Sequence, residues 1–589
     1  MSVPLAQIDF DDEKRKQMKN RTKKNPRLFT PVTSMKSLVE NYAQNGDKIA
    51  YRYFTAPKQL AEMTYTEYTT MIRDIAAGYA ALGIANCKIA IIGETSPSWT
   101  SSYHAAVVGG GIAVPMDKEL IIEDIEGLLA MAEVDAIVYS KSFNEKFAHA
   151  VETHPTLRYF IPMDATGLSY ADHEKVVPLS RIIEMGKANE GYVFPETQDL
   201  NRPAEFLFTS GTTGSSKCVM LSEKNIITAI NSACATVNFS HDDVIVSVLP
   251  IHHTYELCCQ MAGMNYGMTV GINDSLKRVL ANFKLFAPTG LVLVPLFVNT
   301  IYKKIFDEAK KTGRLKKLNF GLKLSRFLRH FGIDIRRKLF KDVLNSFGGN
   351  LNKIVCGGAP LNPALCDTFF ELGIQISEGY GITECSPLIA VNPYFNPKLS
   401  SVGPTVPNCT ARIEATDGSG TILGVGETGE IVVTGDNVML GYYNNPAANE
   451  AVFTPDGWFR TGDVGHMDAD GYIYITGRCK SVIVLENGKN VFPEEIEEHL
   501  ENIEGVLETV VVGRKAEDGE TVVLTAIIVP DLDRFEKGAT EEQILELLRA
   551  RINEMNKKLA SFKHIRAVEL RMEPFEKTTS RKIKRHLVH

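Results

Sequence analysis

The chain has 589 residues, 44% hydrophobic and 23% charged, with a formal net charge of −7. This is ordinary globular composition with room for two or more domains, and its acidic balance speaks against a general nucleic-acid binder. The opening MSVPLAQIDFDDEKRKQ is charged where a signal peptide needs an apolar core, and apolar runs such as LVLVPLFV (Leu291 to Val298) are too short to span a bilayer. Ten cysteines without a C-x-x-C pair read as reduced thiols, so a cytoplasmic protein is expected.

The first thirty residues read as a polar arm. From Ser34 to about Phe143, helical patterns alternate with short apolar strands such as KIAIIGE (Lys88 to Glu94) and DAIVYS (Asp135 to Ser140). That alternation predicts βαβ units and a mainly parallel sheet. It resumes at VIVSVLP (Val244 to Pro250), LVLVP (Leu291 to Pro295) and KIVCGGA (Lys353 to Ala359). Between Lys303 and Lys341 lies a dense run of Lys and Arg whose only acids are Asp307, Glu308 and Asp334, interleaved with Phe320, Leu324, Phe327, Leu328 and Phe331. Such a basic amphipathic segment is either a solvated helix face or a patch for a membrane surface or another anionic partner. After Ser401, Gly and Pro become frequent and strands such as GEIVVTG and GYIYITG shorten, which predicts a β-rich subdomain. GRCKSVIVLENGKN (Gly477 to Asn490) reads as a junction. Beyond it comes an α+β tail with a helix from Pro493, strands VLETVVVG and TVVLTAIIV, and a helix from Thr540 to about Lys558. The expected fold class is α/β. A large N-terminal part, 1–478, would combine layered sheets with the β-rich subdomain, and a small mobile α+β domain, 479–589, would follow.

Four stretches carry chemistry. In FLFTSGTTGSSKCVML, a loop between the strand EFLF and the helix SEKNIITAINSA, Gly211 and Gly214 free backbone N–H groups to face phosphate oxygens. The hydroxyls of Thr209, Ser210, Thr212, Thr213, Ser215 and Ser216 add donors, and Lys217 adds positive charge. The stretch is not G-x-x-x-x-G-K-[ST], because Ser216 precedes the lysine and Cys218 follows it. In SEGYGITECSP, Tyr380 offers a flat face for a base, and Thr383 with Glu384 sets a hydroxyl and a carboxylate together as a hard cation requires. In DGWFRTGDVG and the following GRCK, Asp463 can accept from ribose hydroxyls, and Arg478 can meet ribose or phosphate. In EKTTSRKIKRHLV, Lys582 sits among hydroxyls and further bases. The run LPIHHTYELCC gathers His252, His253, Glu256, Cys258 and Cys259 but lacks zinc spacing, and no G-x-S-x-G elbow points to a serine hydrolase.

Taken together, TSGTTGSSK, YGITE, GWFRTGD, GRCKSVI and TSRKIKR resemble, in order and spacing, the motifs of the adenylate-forming superfamily: acyl-CoA synthetases, luciferase-like enzymes and carrier-loading adenylation domains. The resemblance runs from Ser34 to His589. It implies that the phosphate loop, Thr209 to Gly214 with Lys217, grips ATP, and that Thr212 and Glu384 hold Mg²⁺. Gly358, Ala359, Pro360 and Tyr380 would line the adenine pocket, Gly381 and Thr383 would also meet ATP, and Asp463 and Arg478 would hold the ribose. Lys582 would reach the carboxylate and the α-phosphate, Lys480 would be the hinge, Gly488 would meet coenzyme A, and His253 would border the acyl pocket. The usual glycine before the catalytic lysine is Arg581 here, and the usual proline before the loop lysine is Ser216.

The basic insert and GGAPLNPAL resemble bacterial long-chain fatty acyl-CoA synthetases. The implied reaction is ATP-dependent activation of a fatty acid, with long chains favoured, followed by thioester formation with coenzyme A. The alternative is an acyl-acyl carrier protein synthetase or another carrier-loading enzyme, because a basic face could dock an acidic carrier as well as a membrane. A binding protein that senses nucleotide or fatty acid without turnover is disfavoured by the joint presence of Glu384, Asp463, Arg478 and Lys582.

Overall fold

The computed structural model describes residues 29–210, 216–394, 396–485, 490–515, 522–536, 538–577 and 583–588. The N-terminal arm expected over the first thirty residues falls almost wholly outside them.

Two large sheets carry the first part of the chain. One has seven strands. Pro203–Ser210, Ile112–Met116, Lys88–Ile92, Ala136–Tyr139 and Tyr159–Pro162 run parallel, and Ser216–Ser222 and Gly441–Tyr442 add antiparallel at one edge. The other has eight. Gln375–Gly381, Lys353–Gly357, Gly290–Leu293, Val244–Ser247, Thr269–Ile272 and Ile49–Ala56 are parallel, with antiparallel Leu388–Val391 and Gln59–Thr64 closing the two ends. Central strands such as Ala136–Tyr139 and Gly290–Leu293 are buried along their whole length, as parallel strands covered on both faces must be. The helices between them start on their own sequence signals. Ser34, Thr64 and Ser222 each close a capping box, and Pro occupies the first turn of Pro97–Val108, Pro295–Lys311 and Pro363–Glu371.

The β-rich subdomain is a four-stranded antiparallel sheet of Cys409–Glu414, Gly429–Gly435, Phe459–Met467 and Ile473–Arg478. The tail has its own core. Val506–Lys515 and Val522–Pro530 pair antiparallel, Ala567–Leu570 adds in parallel, and Val491, Ile496, Leu500, Val511, Ile528 and Leu548 are buried together under the helices Pro493–Glu501 and Glu541–Asn556.

One local expectation is corrected. The phosphate loop does not lead directly into a helix. Ser216–Ser222 returns antiparallel to Pro203–Ser210, with Thr209 opposite Lys217 and Ser210 opposite Ser216, and only then does Glu223–Thr236 begin. The reason lies in KCVMLS, whose Cys218, Val219 and Leu221 are buried while Lys217 is half-buried. This pleated return strand needs an apolar residue immediately after the lysine, which accounts for Cys218.

Within the core, Glu205 is a carboxyl 2% exposed on the strand leading to the loop, and burial pushes its pKa up to about 8. Below about pH 4.5 the folded and unfolded chains both carry the proton. As pH rises from there toward 8, the unfolded chain ionises first, so the folded state loses stability over that window. Glu205→Gln should therefore be neutral near pH 4.5 and gain stability relative to wild type by on the order of 1 kcal/mol per pH unit toward pH 8. Melting temperatures at pH 5 and pH 8 check this, and an unchanged wild-type-to-variant difference between the two would refute it.

Candidate active site

In the eight-stranded sheet, the parallel strands Gly290–Leu293, Lys353–Gly357 and Gln375–Gly381 point their C-terminal ends the same way, the usual place for a ligand in such sheets. Gly357 and Gly379 are register partners there. Gly358, with φ +89°, turns the chain out of the sheet, and Gly358, Ala359 and Pro360 are exposed. Gly381 admits no side chain, since a Cβ would sit 1.7 Å from the Pro387 carbonyl oxygen. Thr383 and Glu384 follow in a single 3₁₀ turn, Thr383–Cys385.

Two clusters assemble around this end. In the first, the Tyr380 hydroxyl donates to Asp463 Oδ2 at 2.8 Å, and Arg478 Nε donates to Asp463 Oδ1 at 2.6 Å. Asp463 and Arg478 face one another because they are cross-strand partners in the antiparallel pair Phe459–Met467 and Ile473–Arg478. Asp463 and Tyr380 are buried. The Asp463 carboxylate holds the Arg478 guanidinium above its ordinary pKa, with Tyr380 and Glu384 adding to the effect, so Glu384 shares this neighbourhood.

The second cluster was not foreseen. Tyr442 donates its hydroxyl to Glu384 Oε1 at 2.9 Å, and the Lys217 ammonium lies 4.6 Å from the centre of the Tyr442 ring. The two-residue strand Gly441–Tyr442 lies alongside Ser216–Ser222, with Tyr442 opposite Val219. A pairing between segments more than two hundred residues apart thus joins the loop lysine to the glutamate of YGITE. No local pattern marks Tyr442 in MLGYYNNP, and only the β-character of KCVMLS hinted that a further strand could add there. Glu384 Oε2 has no hydrogen-bond partner among the described residues, which leaves an oxygen donor open to a hard cation.

His253 immediately precedes the helix Thr254–Asn265, at its N-terminal boundary. The next residue but one, Tyr255, donates to the carbonyls of Leu293 and Val355 at 3.2 Å each, which ties this helix start to the same strand ends as the two clusters. The His253 ring lies 4.2 Å from that of His252. Burial pushes His252 well below its ordinary pKa, with His253 and Lys118 adding, so it stays neutral. Glu256 Oε1 accepts from Gln260. Lys480 sits exposed in the 3₁₀ turn Cys479–Ser481 immediately after Arg478. Thr209 is half-buried opposite Lys217, and Ser210 ends its strand. Gly211, Thr212, Thr213, Gly214, Gly488 and Lys582 lie outside the described residues.

Gly358 and Gly381 at the strand ends, a buried Asp463 paired with the half-exposed Arg478, and a lysine and an open carboxylate linked through one tyrosine form an arrangement suited to a magnesium nucleotide. A family model described as AMP-binding enzyme matches residues 38–443, and one described as AMP-binding enzyme C-terminal domain matches 480–589. The chain belongs to the AMP-binding enzyme family. Among its relatives, the long-chain-fatty-acid–CoA ligase FadD15 of Mycobacterium bovis is 28% identical over 498 residues, 81% of this chain and 78% of that one. The chloroplastic long-chain-fatty-acid–[acyl-carrier-protein] ligase AEE15 of Arabidopsis thaliana is 26% identical over 572 residues, 85% of this chain and 76% of that one. In fold, the chain resembles ATP-bound MatB from Rhodopseudomonas palustris, with a TM-score of 0.71 at 23% identity, covering 94% of this chain and 98% of that one.

Proposed function

We propose that the protein activates a fatty acid, of long chain by preference, with ATP and Mg²⁺ and transfers the acyl group to coenzyme A. A carboxylate resists nucleophiles because it is anionic. Its oxygen attacks the α-phosphorus of ATP, the bond from that phosphorus to the bridging oxygen breaks, and pyrophosphate leaves. The thiol sulfur then attacks the acyl carbon, the bond to AMP breaks, and AMP leaves as the thiol loses its proton. The first step is chiefly a matter of positioning and charge neutralisation. The observation that supports this reading is the Lys217–Tyr442–Glu384 chain beside the Tyr380–Asp463–Arg478 cluster, which brings a cation and a carboxylate next to the paired Asp463 and Arg478.

In this reading Lys217 and the loop hold the departing pyrophosphate, and Asp463, fixed by Arg478 and Tyr380, accepts from the ribose. His253 borders the acyl pocket. Residues 1–478 bind ATP and acid, residues 479–589 form the mobile domain, Lys480 is the hinge, and Gly488 meets coenzyme A. Support for a fatty acid and for coenzyme A comes from the relatives named above. The carrier-protein ligase among them supports a second reading, in which an acyl carrier protein replaces coenzyme A. Pyrophosphate release measured over a panel of carboxylic acids, followed by thioester formation with coenzyme A or carrier protein, tests the reading and separates the acceptors. No helix among the described residues is long and apolar enough to cross a membrane.

Asp463→Asn keeps the size and accepting oxygen of the side chain but removes the charge. A hydrogen bond to a charged group contributes about 1.5–3 kcal/mol, so kcat/KM for ATP should fall roughly 10–100-fold with little change in melting temperature. An unchanged KM and kcat for ATP would remove Asp463 from the nucleotide site.

A further inference from the structure

The basic segment folds into the helices Pro295–Lys311, Leu315–His330, Arg336–Leu339 and Lys341–Asn345. Its arginines are not free for an outside partner. Arg329 donates to the buried Glu371, Arg326 to Asp367, Arg336 to Asp334 and the Phe370 carbonyl, and Arg337 to the carbonyls of Leu351 and Gly349. They fasten the segment to the helix Pro363–Glu371 and to the loop that leads into the strand Lys353–Gly357. The charge that remains free is lysine.

The Leu315–His330 helix has its polarity reversed. At 100° per residue, buried Leu318, Gly321 and Ser325 share the inner face, where Ser325 donates to Glu371 Oε2 at 2.8 Å. On the outer face, Phe320, Phe327 and the C-cap Phe331 fall within about 40° of one another. They are 66%, 61% and 67% exposed, and the Phe327 and Phe331 rings stand edge to face 5.2 Å apart. Exposed Ile333 lies just beyond. Lys316, Lys317 and Lys323 are exposed within about 60° of this stripe. They have no acidic partner among the described residues, and no acid occurs between Leu315 and Ile333. A solvated face does not hold three aligned, solvent-facing phenylalanines.

We infer that this face is a docking surface for an anionic lipid interface, with Phe320, Phe327 and Phe331 entering the headgroup region and Lys316, Lys317 and Lys323 meeting lipid phosphates. Aromatic residues in the middle of one face with lysines on its flanks are the pattern of a helix that lies in the interface plane. A second copy is disfavoured as occupant, because twofold pairing of the stripe would bring lysine flanks against lysine flanks. An acidic carrier protein would answer the lysines but leave the rings without a purpose. The assignment of this face rests on the fatty-acid reading only for its purpose, the capture of an amphiphilic substrate, and its test needs neither ATP nor acid.

The test is flotation of the full chain with phosphatidylcholine vesicles, with and without phosphatidylglycerol, at low and high salt. The wild type should float only with the anionic vesicles and be released by salt. Phe320→Ser/Phe327→Ser/Phe331→Ser should lose flotation. Lys316→Gln/Lys317→Gln/Lys323→Gln should bind on the order of 100-fold more weakly, while Arg326→Gln, whose charge Asp367 already meets, should bind as wild type. Melting temperatures within error of wild type establish that the variants fold. Three results would each overturn the inference. They are no flotation of the wild type at low salt, undiminished flotation of the phenylalanine variant, and a wild-type dimer or carrier-protein complex that depends on the phenylalanines while vesicles go unbound. Flotation by a chain that releases no pyrophosphate would instead sink the proposed reaction and leave the docking face standing.

Discussion

Lys582→Ala is expected to slow acyl-adenylate formation by at least roughly 10²–10³ and to leave thioester formation from preformed acyl-adenylate near its normal rate. The expectation rests on the match of TSRKIKR to the family's C-terminal lysine motif and on the chemistry of the first step. A lysine aimed at the charge that develops between carboxylate and α-phosphate acts as a preorganised donor, and losing one such donor costs about 3–4 kcal/mol. The split between half-reactions follows from the chain's layout. The lysine belongs to a tail with its own core, joined to the nucleotide clusters through the short turn Cys479–Ser481. If that turn is where the tail swings, the lysine leaves the site before the thiol attacks. Rapid-quench assay of each half-reaction separates the outcomes. Equal damage to both would contradict the swing. Loss of adenylation in Lys584→Ala instead of Lys582→Ala would move the motif's register past Arg581.

Glu384→Gln should cut pyrophosphate release at limiting Mg²⁺ by on the order of 10², with partial recovery as Mg²⁺ rises. Glutamine keeps the oxygen that Tyr442 donates to, so the local fold survives, but it removes the negative charge that a hard cation needs. The change falls beside Lys217 and within the field of Arg478, so the site also becomes more positive overall. Tyr442→Phe tests the same linkage from the other side. It leaves the carboxylate charged but unanchored and should cost only a few-fold, in line with one neutral-donor hydrogen bond of about 1 kcal/mol. A Glu384→Gln enzyme with the wild-type dependence on Mg²⁺ would take the metal away from this residue.

Much of this architecture was legible in the sequence, for reasons that are local. KIAIIGE, DAIVYS and KIVCGGA are short apolar runs bounded by turn residues, and each forms a strand of a parallel sheet. The tail helix begins at Thr540 because Thr540 and Gln543 close a capping box. Asp463 and Arg478 fall together because each lies in a strand of one meander. The failures are equally physical. Crowded Ser, Thr and Gly made the phosphate loop look like a strand-to-helix turn, and the burial of Cys218, Val219 and Leu221 that makes KCVMLS a strand depends on packing far along the chain. Tyr442 reaches Glu384 through a pairing no local pattern encodes. In the basic insert, local charge counting treated the arginines as available, whereas Glu371 and Asp367, some forty residues away, had already claimed Arg329 and Arg326. Charge density alone cannot show which cations are spoken for; the ion pairs of the folded chain do.

The most direct test of the central claim is the fate of ATP when the purified protein meets a fatty acid and Mg²⁺, followed by product analysis before and after coenzyme A is added. The account predicts pyrophosphate release that requires the acid, an acyl-adenylate trapped on the protein, and its conversion to a thioester and AMP once the thiol arrives. Release of ADP and inorganic phosphate, or the absence of acid-dependent pyrophosphate release across the whole panel of carboxylic acids, would contradict it.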